Sequence, residues 1–251
     1  MRPSALRVHQ PGRLRPVGPV GFERAAEHLT PAGVNRTLTS DLFARLHTDI
    51  LHCRLRPNSR LLFRDLRETY ASGISPLREA LMRLAADGLV VLEDHKGFRV
   101  APVSPDELTD IANTRCQLEG QALRLSIEKG DDAWEAHIVG RFHELSKRST
   151  YTPVGAVDAE WESRHDAFHR ALYGACGLRW MMKFCELLAE RAYRYRHLLL
   201  EHEDRARDLR SEHESIMRAV VDRRADEAVE MLQDHYRRTV NTLLSRWQEL
   251  K

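Results

Sequence analysis

The sequence predicts a mainly α chain: an N-terminal winged helix-turn-helix followed by an all-α antiparallel helical bundle. Three observations carry that prediction. Ile74 to Val90 reads as a short Pro-started helix running into a strand. From Ser104 onward the apolar residues recur almost wholly at helical spacing. Capping residues divide that second region into separate helices.

In chain order, residues 1–34 set Arg2, Arg7, Arg13, Arg15 and Arg24 among prolines and glycines. A basic extension of this kind buries too little apolar surface to order itself. It is expected to be a disordered tail, with phosphate contact as the alternative role. The winged unit is expected over residues 35–102. Thr39 or Ser40 suits the cap of a first helix with Leu42, Phe43, Leu46 and Ile50 on one face. Arg56-Pro57-Asn58-Ser59 breaks the chain, a second helix covers Phe63 to Tyr70, and Ala71-Ser72-Gly73 turns it.

In the third helix Ser75 suits the cap and Pro76 the first helical position. Leu77, Ala80, Leu81 and Leu84 form its apolar face, and Gly88 ends it. Arg78, Glu79, Met82 and Arg83 are left pointing outward. A helix this short does not stand alone in water. It packs on neighbours and frees its polar face, as a DNA-reading helix requires. Leu89–Leu92 and Phe98–Val100 complete the unit as two strands joined through Glu93–Gly97.

Residues 103–251 read as six or so helices. Ser104-Pro105-Asp106-Glu107 is a capping box with Pro at the first helical position, and that helix ends at Lys129-Gly130. Asp131-Asp132 opens a second helix to about Lys147, and a third runs from about Asp158 to Cys176. Gly177 separates a fourth, from Trp180 to about Leu200; two more are expected near 207–222 and 226–248.

The chemistry lies in what interrupts the apolar stripes. His165 and His169 lie one turn apart on a face with Trp161, Leu172 and Cys176. His213 aligns with Leu209, Ile216 and Val220, and His235 with Ala228, Met231 and Leu232. A single such histidine is more often bonded to a carbonyl. Four from three helices favour a divalent metal, zinc or nickel, because unpartnered buried imidazoles are costly. Arg115 interrupts the stripe Leu108, Ile111, Leu118, Ala122 and Leu125. It is read either as an ion pair with Glu119 or as a fork for a ligand carboxylate.

Composition narrows the classes. A net charge of +2 over 251 residues excludes binding to nucleic acid by bulk charge. Four cysteines without Cys-x-x-Cys spacing suit reduced thiols in the cytoplasm. No apolar run approaches a membrane span and no signal-peptide core is seen. Glu162-x-x-His165 is half of a di-iron signature without its second half, and no P-loop, nucleophile elbow or His-Glu-x-x-His occurs, so no enzyme is expected.

Residues 39–102 resemble the N-terminal domain of the GntR family of bacterial transcription regulators. The resemblance rests on Ser75-Pro76-Leu77-Arg78-Glu79-Ala80-Leu81 and the Arg83-Leu84-x-x-x-Gly88-Leu89-Val90 behind it. It implies that Arg64, Ser75 and Arg78 contact phosphate or bases, with His95, Lys96 and Gly97 at a wing tip near the minor groove. Ile74 stands where many relatives have a base-reading Arg, which shifts readout to Arg78, Arg83 or Arg64.

Residues 104–245 resemble the FCD ligand-binding domain of the FadR subfamily, through Phe168-His169-Arg170-Ala171-Leu172, Ala175-Cys176-Gly177, Glu212-His213-x-x-Ile216 and His235. The resemblance implies metal ligation by His169, His213 and His235. His165 stands at the position of an Asp ligand, with Glu162 and Asp166 as alternative first ligands, and Leu178 replaces a common Asn. It places Arg115 near the effector cavity; Arg194 and Tyr195 are further candidates from the sequence, with their facing on the helix left open. The implied function is a homodimeric regulator, commonly a repressor, on a two-fold double-stranded operator. A small organic acid, such as a hydroxy- or dicarboxylate, would be its effector. A regulator whose effector is the metal itself, and a metal enzyme fused to a DNA-binding module, are the alternative readings.

Overall fold

The computed structural model describes residues 38–155, 157–199 and 207–249. The basic extension expected over residues 1–34 lies outside them. Helix α1 (Leu38–Leu51), strand β1 (Arg60–Leu61), helices α2 (Phe63–Tyr70) and α3 (Ile74–Ala86), and strands β2 (Val90–Glu93) and β3 (Gly97–Val100) come first. Six helices follow: α4 (Pro105–Lys129), α5 (Asp132–Ser146), α6 (Ala159–Leu172), α7 (Arg179–Leu199), α8 (Leu209–Val221) and α9 (Ala225–Glu249).

The three strands form an antiparallel sheet in the order β1-β3-β2, with Leu61 opposite Phe98 and Val90 opposite Val100. Strand β1 is not foreseen, because two residues are too short to show a period. Leu42, Leu46, Ile50, Leu77, Leu81, Leu84, Phe98 and Val100 make the core of this unit. With Leu77, Ala80, Leu81 and Leu84 buried, α3 turns its remaining face outward.

Two helix starts differ from expectation. Helix α1 begins at Leu38, so Thr39 and Ser40 lie inside its first turn. Helix α3 begins at Ile74 behind an extended Gly73, and no side chain caps it. Ser75 and Pro76 are therefore its second and third residues. Proline is tolerated there because no first-turn N–H has an intrahelical acceptor. The helix end is as expected: Gly88 takes φ +71°, its N–H bonds to the Ala85 carbonyl, and the Leu89 N–H bonds to the Leu84 carbonyl. That pair of bonds is a Schellman motif.

In the bundle, Ser104 caps α4 by accepting from the Glu107 N–H at 3.1 Å, and Asp131, Asp158 and Asp208 cap α5, α6 and α8. Trp134 is fixed by its indole N–H donating to the Ala171 carbonyl at 2.9 Å. Its ring lies so close to Gly130 that it leaves no room for a Cβ there. Helix α6 stops at Leu172, short of the expected Cys176, because Tyr173 to Cys176 turn where Gly174 weakens helix propensity. The bundle core joins Leu123, Ile127, Ile138, Phe168, Leu172, Ile216, Val220 and Leu232. Among the described residues no helix is long and apolar enough to cross a membrane.

Helix α7 packs on α4 in the bundle and also on α1 of the winged unit. Its Tyr193 hydroxyl lies 3.1 Å from Nε2 of His52, and Arg194 donates to the Ala101 carbonyl at 2.5 Å. Arg191 hydrogen-bonds the Asp87 carbonyl at the end of α3.

Candidate DNA-reading face and metal centre

The expected DNA contacts stand on one small unit and are all exposed. Arg64 projects from α2 and pairs with neighbouring Asp65 at 2.9 Å. Ser75 and Arg78 lie on the first two turns of α3, and the Arg78 guanidinium sits over the Phe63 ring at 5.2 Å. Arg83, in the last turn, lies over Phe43 of α1 at 4.2 Å. The structure thus separates Arg83 from Arg78, the other cation on α3. His95, Lys96 and Gly97 form the hairpin tip, where His95 takes φ 58° and Gly97 φ 83°. Ile74, 49% exposed, borders a shallow groove with Arg64 and Arg67. Arg67 was missed, because an exposed Arg on a short helix gives no pattern.

The second site is buried in the bundle. His165 and His169 on α6, His213 on α8 and His235 on α9 converge, with one ligand atom from each all within 4.8 Å of one another. Nε2 of His169 lies 3.0 Å from Nε2 of His165 and 3.2 Å from Nε2 of His213. Nitrogens about 2.0–2.1 Å from a tetrahedral ion stand about 3.3 Å apart, so these edges fit a zinc-sized centre.

Outer partners set how the rings present themselves. The Tyr236 hydroxyl donates to Glu119 and so accepts from Nδ1–H of His169 at 3.2 Å, which leaves the Nε2 lone pair facing the centre. Nδ1 of His235 donates to Glu212 at 2.9 Å, and the backbone of Leu209 hydrogen-bonds His213. Such partners orient ligands and fix their tautomers. His165 differs: it stacks on Trp161 at 4.7 Å, and its Nδ1 has no hydrogen-bond partner. Burial, reinforced by neighbouring imidazoles, holds His165, His169 and His213 well below the ordinary histidine range. Burial also pushes His235 down to about 4. All four are neutral at pH 7, as metal ligation requires.

The alternative first ligands are otherwise engaged. Glu162 accepts from Nε of Arg196 at 2.8 Å, and Asp166 accepts from Nη2 of Arg196 at 3.3 Å while lying 3.7 Å from Nδ1 of His165. Burial raises the Glu212 carboxyl, but hydrogen bonds from Arg207 and His235 overcome this and hold it below its ordinary range.

Beside the centre lies a cavity reached by His165, His235, Trp161 and Arg115. Arg115 is buried and donates through Nε to Glu119 at 2.7 Å, so the intrahelical ion pair is present at the cavity wall. Arg194 and Tyr195 do not face the cavity. Arg194 bonds the Ala101 carbonyl just after β3, and Tyr195 bonds Glu107 and accepts from the Ser104 N–H at 3.0 Å. Arg196, the next residue, does line it. A helix turns about 100° per residue, and the mixed stripe of α7 did not decide which neighbour faces inward. Tyr236 and Glu212 adjoin histidines in sequence, which was the available hint; Arg207 precedes its helix and carried none.

The FCD domain family model matches residues 110–238, and the model of bacterial regulatory proteins of the gntR family matches residues 38–100. The HTH-type transcriptional regulator BphR of Paraburkholderia xenovorans (strain LB400) is 34% identical over 241 residues, 95% of this chain and 97% of that protein. The HTH-type transcriptional repressor GlaR of Escherichia coli (strain K12) is 35% identical over 204 residues, 79% of this chain and 93% of that one. Among solved structures, E. coli McbR/YncC shares the fold at a TM-score of 0.69 and 21% identity, covering 84% of this chain and 99% of that one.

Proposed function

This chain belongs to the gntR family of bacterial regulatory proteins and carries an FCD domain, and on that premise we propose how it acts as a DNA-binding transcription regulator. Its relatives are transcription regulators, and it is not an enzyme. Double-stranded operator DNA is contacted by Ser75 and Arg78 of α3, by Arg64 of α2, and by His95, Lys96 and Gly97 at the wing; Arg83 supports this face from the far end of α3. Arg to guanine is the commonest specific contact in the major groove, and Arg78 is the exposed cation nearest the start of α3.

The chain works as a homodimer on a two-fold operator. Trp180, Phe184 and Leu187 recur along one face of α7 and are 68%, 51% and 42% exposed, an apolar strip that supports pairing of two copies.

Operator affinity is set in the bundle. His165, His169, His213 and His235 hold a divalent ion, zinc or nickel, which supplies an electrophilic anchor for a small carboxylate. Arg115 lines the adjoining cavity and orients that ligand. Arg196 joins the two ends of the device. It shares the cavity wall with His165, and its helix α7 grips the winged unit through Tyr193, Arg194 and Arg191. A ligand that binds one placement of α7 better than another shifts the DNA-binding equilibrium accordingly. Repression released by ligand is the direction we infer, in keeping with the repressor GlaR among its relatives.

The observation that carries this reading is the convergence of four neutral imidazoles beside a cavity whose wall continues into α7. Fluorescence anisotropy on DNA upstream of the protein's own gene tests it, with competitor DNA, before and after chelation and with a panel of organic acids. Specific binding released by an acid only when metal is present is the expected result. Binding controlled by metal alone would replace this reading with a metal-sensing regulator.

A further inference from the structure

The four imidazoles at the centre are uncharged donors, and the carboxylates nearest them are already matched. Glu162 and Asp166 share Arg196, Glu212 faces both Arg207 and Arg238, and Glu119 faces Arg115, so four carboxylates meet four guanidiniums. A divalent ion held by these residues keeps both of its charges in a buried place, where an uncompensated charge is strongly disfavoured. An anion from outside the chain is what offsets it.

The cavity offers that anion one charged attachment and no second. Its three guanidiniums are Arg115, Arg196 and Arg207, and each is spent on carboxylates. The Glu119 pair uses Nε and Nη2 of Arg115, so Nη1 is left to orient a ligand oxygen without adding net charge. The rest of the lining carries no charge: it is mainly apolar, with Leu108, Ile111, Ala112 and Leu243 in it, and its polar members include the neutral Thr239 and Thr242. A second carboxylate on the ligand would be buried there without a charge partner, whereas hydrocarbon gains from the transfer.

We propose that the ligand of this centre is a monocarboxylate with an apolar body, its carboxylate toward His165 and His235 and its body between α4 and α9. His165 tunes the preference. With a histidine rather than a carboxylate at this position, the centre has one more positive charge to offset, and His165→Asp would remove that excess. The proposal rests on the reading that a carboxylate binds at the metal centre.

The full chain loaded with cobalt(II), read by its visible absorption, tests both levels with acetate, phenylacetate and succinate as probes. Acetate is expected to change the spectrum, phenylacetate to do so at least tenfold more tightly, and succinate no more tightly than acetate. His165→Asp should retain cobalt and bind phenylacetate at least tenfold more weakly. Ala112→Leu, which fills the cavity without touching the histidines, should weaken phenylacetate more than acetate and serves if the first variant fails to hold metal. Succinate binding more tightly than phenylacetate overturns the proposed class. Equal phenylacetate affinity in the parent and both variants overturns the assigned position. A spectrum unmoved by any carboxylate refutes instead the underlying carboxylate-at-metal reading.

Discussion

Acidifying the chelator-treated protein from pH 7.5 to 5.5 should destabilise it severely, and the size of the loss can be worked from the histidine cluster. His165, His169, His213 and His235 are each at most 6% exposed, and burial holds all four below the ordinary value of 6.5. In the unfolded chain they regain that ordinary value and take up protons that the folded chain refuses. Their stabilising contribution is therefore complete above pH 6.5 and is lost as pH falls below it. One unit below, at pH 5.5, each group costs on the order of 1 kcal/mol and the four together about 5 kcal/mol. A domain's whole stability is about 5–15 kcal/mol. His197, pushed down to about 4 mainly by burial, adds in the same direction. Glu212, already held low by Arg207, contributes its own loss only as pH approaches its ordinary 4.5. Urea unfolding followed by tryptophan fluorescence reads the change. A zinc-loaded sample should resist to lower pH, because ligated nitrogens cannot take protons without releasing the ion. A free energy of the chelated protein that stays within 1 kcal/mol between the two pH values would refute the reasoning.

Four further outcomes are expected. His169→Ala and His213→Ala should each reduce bound metal, measured by elemental analysis, to near zero. Glu212→Gln weakens the partner that orients His235 and should lower metal affinity by about 10–100-fold in competition with a chromogenic chelator. Arg78→Ala should remove specific operator binding in anisotropy while circular dichroism and Tm stay unchanged; unaltered operator affinity would end its assigned role. Leu77→Ala, at a position with no exposure, should cost about 2–5 kcal/mol in urea unfolding.

Much of this molecule was legible because its signals are local. Ser104 and Asp131 cap their helices through bonds to residues three positions ahead, so sequence spacing and geometry carry the same information. Gly88 likewise ends α3 through its own φ of +71°. The start of α3 was less legible. Ser75 has a capping side chain, yet the turn geometry of Gly73 starts the helix earlier, and a cap propensity yields to the backbone path.

The candidate centre divides in the same way. Helical periodicity alone put His165, His169, His213 and His235 on apolar faces, because a period of 3.6 residues fixes which residues share a side. Whether three separate helices bring those faces to one point is a matter of packing, and only the tertiary structure set the 3.0 and 3.2 Å spacings at His169. Arg115 shows the limit most clearly. The sequence left it between an ion pair with Glu119 and a fork for a ligand, and the fold makes the pair while keeping the residue at the cavity wall. Arg196 rather than Arg194 faces that cavity because the rotation of α7 is set by its contacts with both α1 and α4, which no local pattern encodes. Residues thus determined most of the elements, some of their ends and the chemistry on offer. Long-range packing decided which of those groups meet, and with them which charges remain for a ligand.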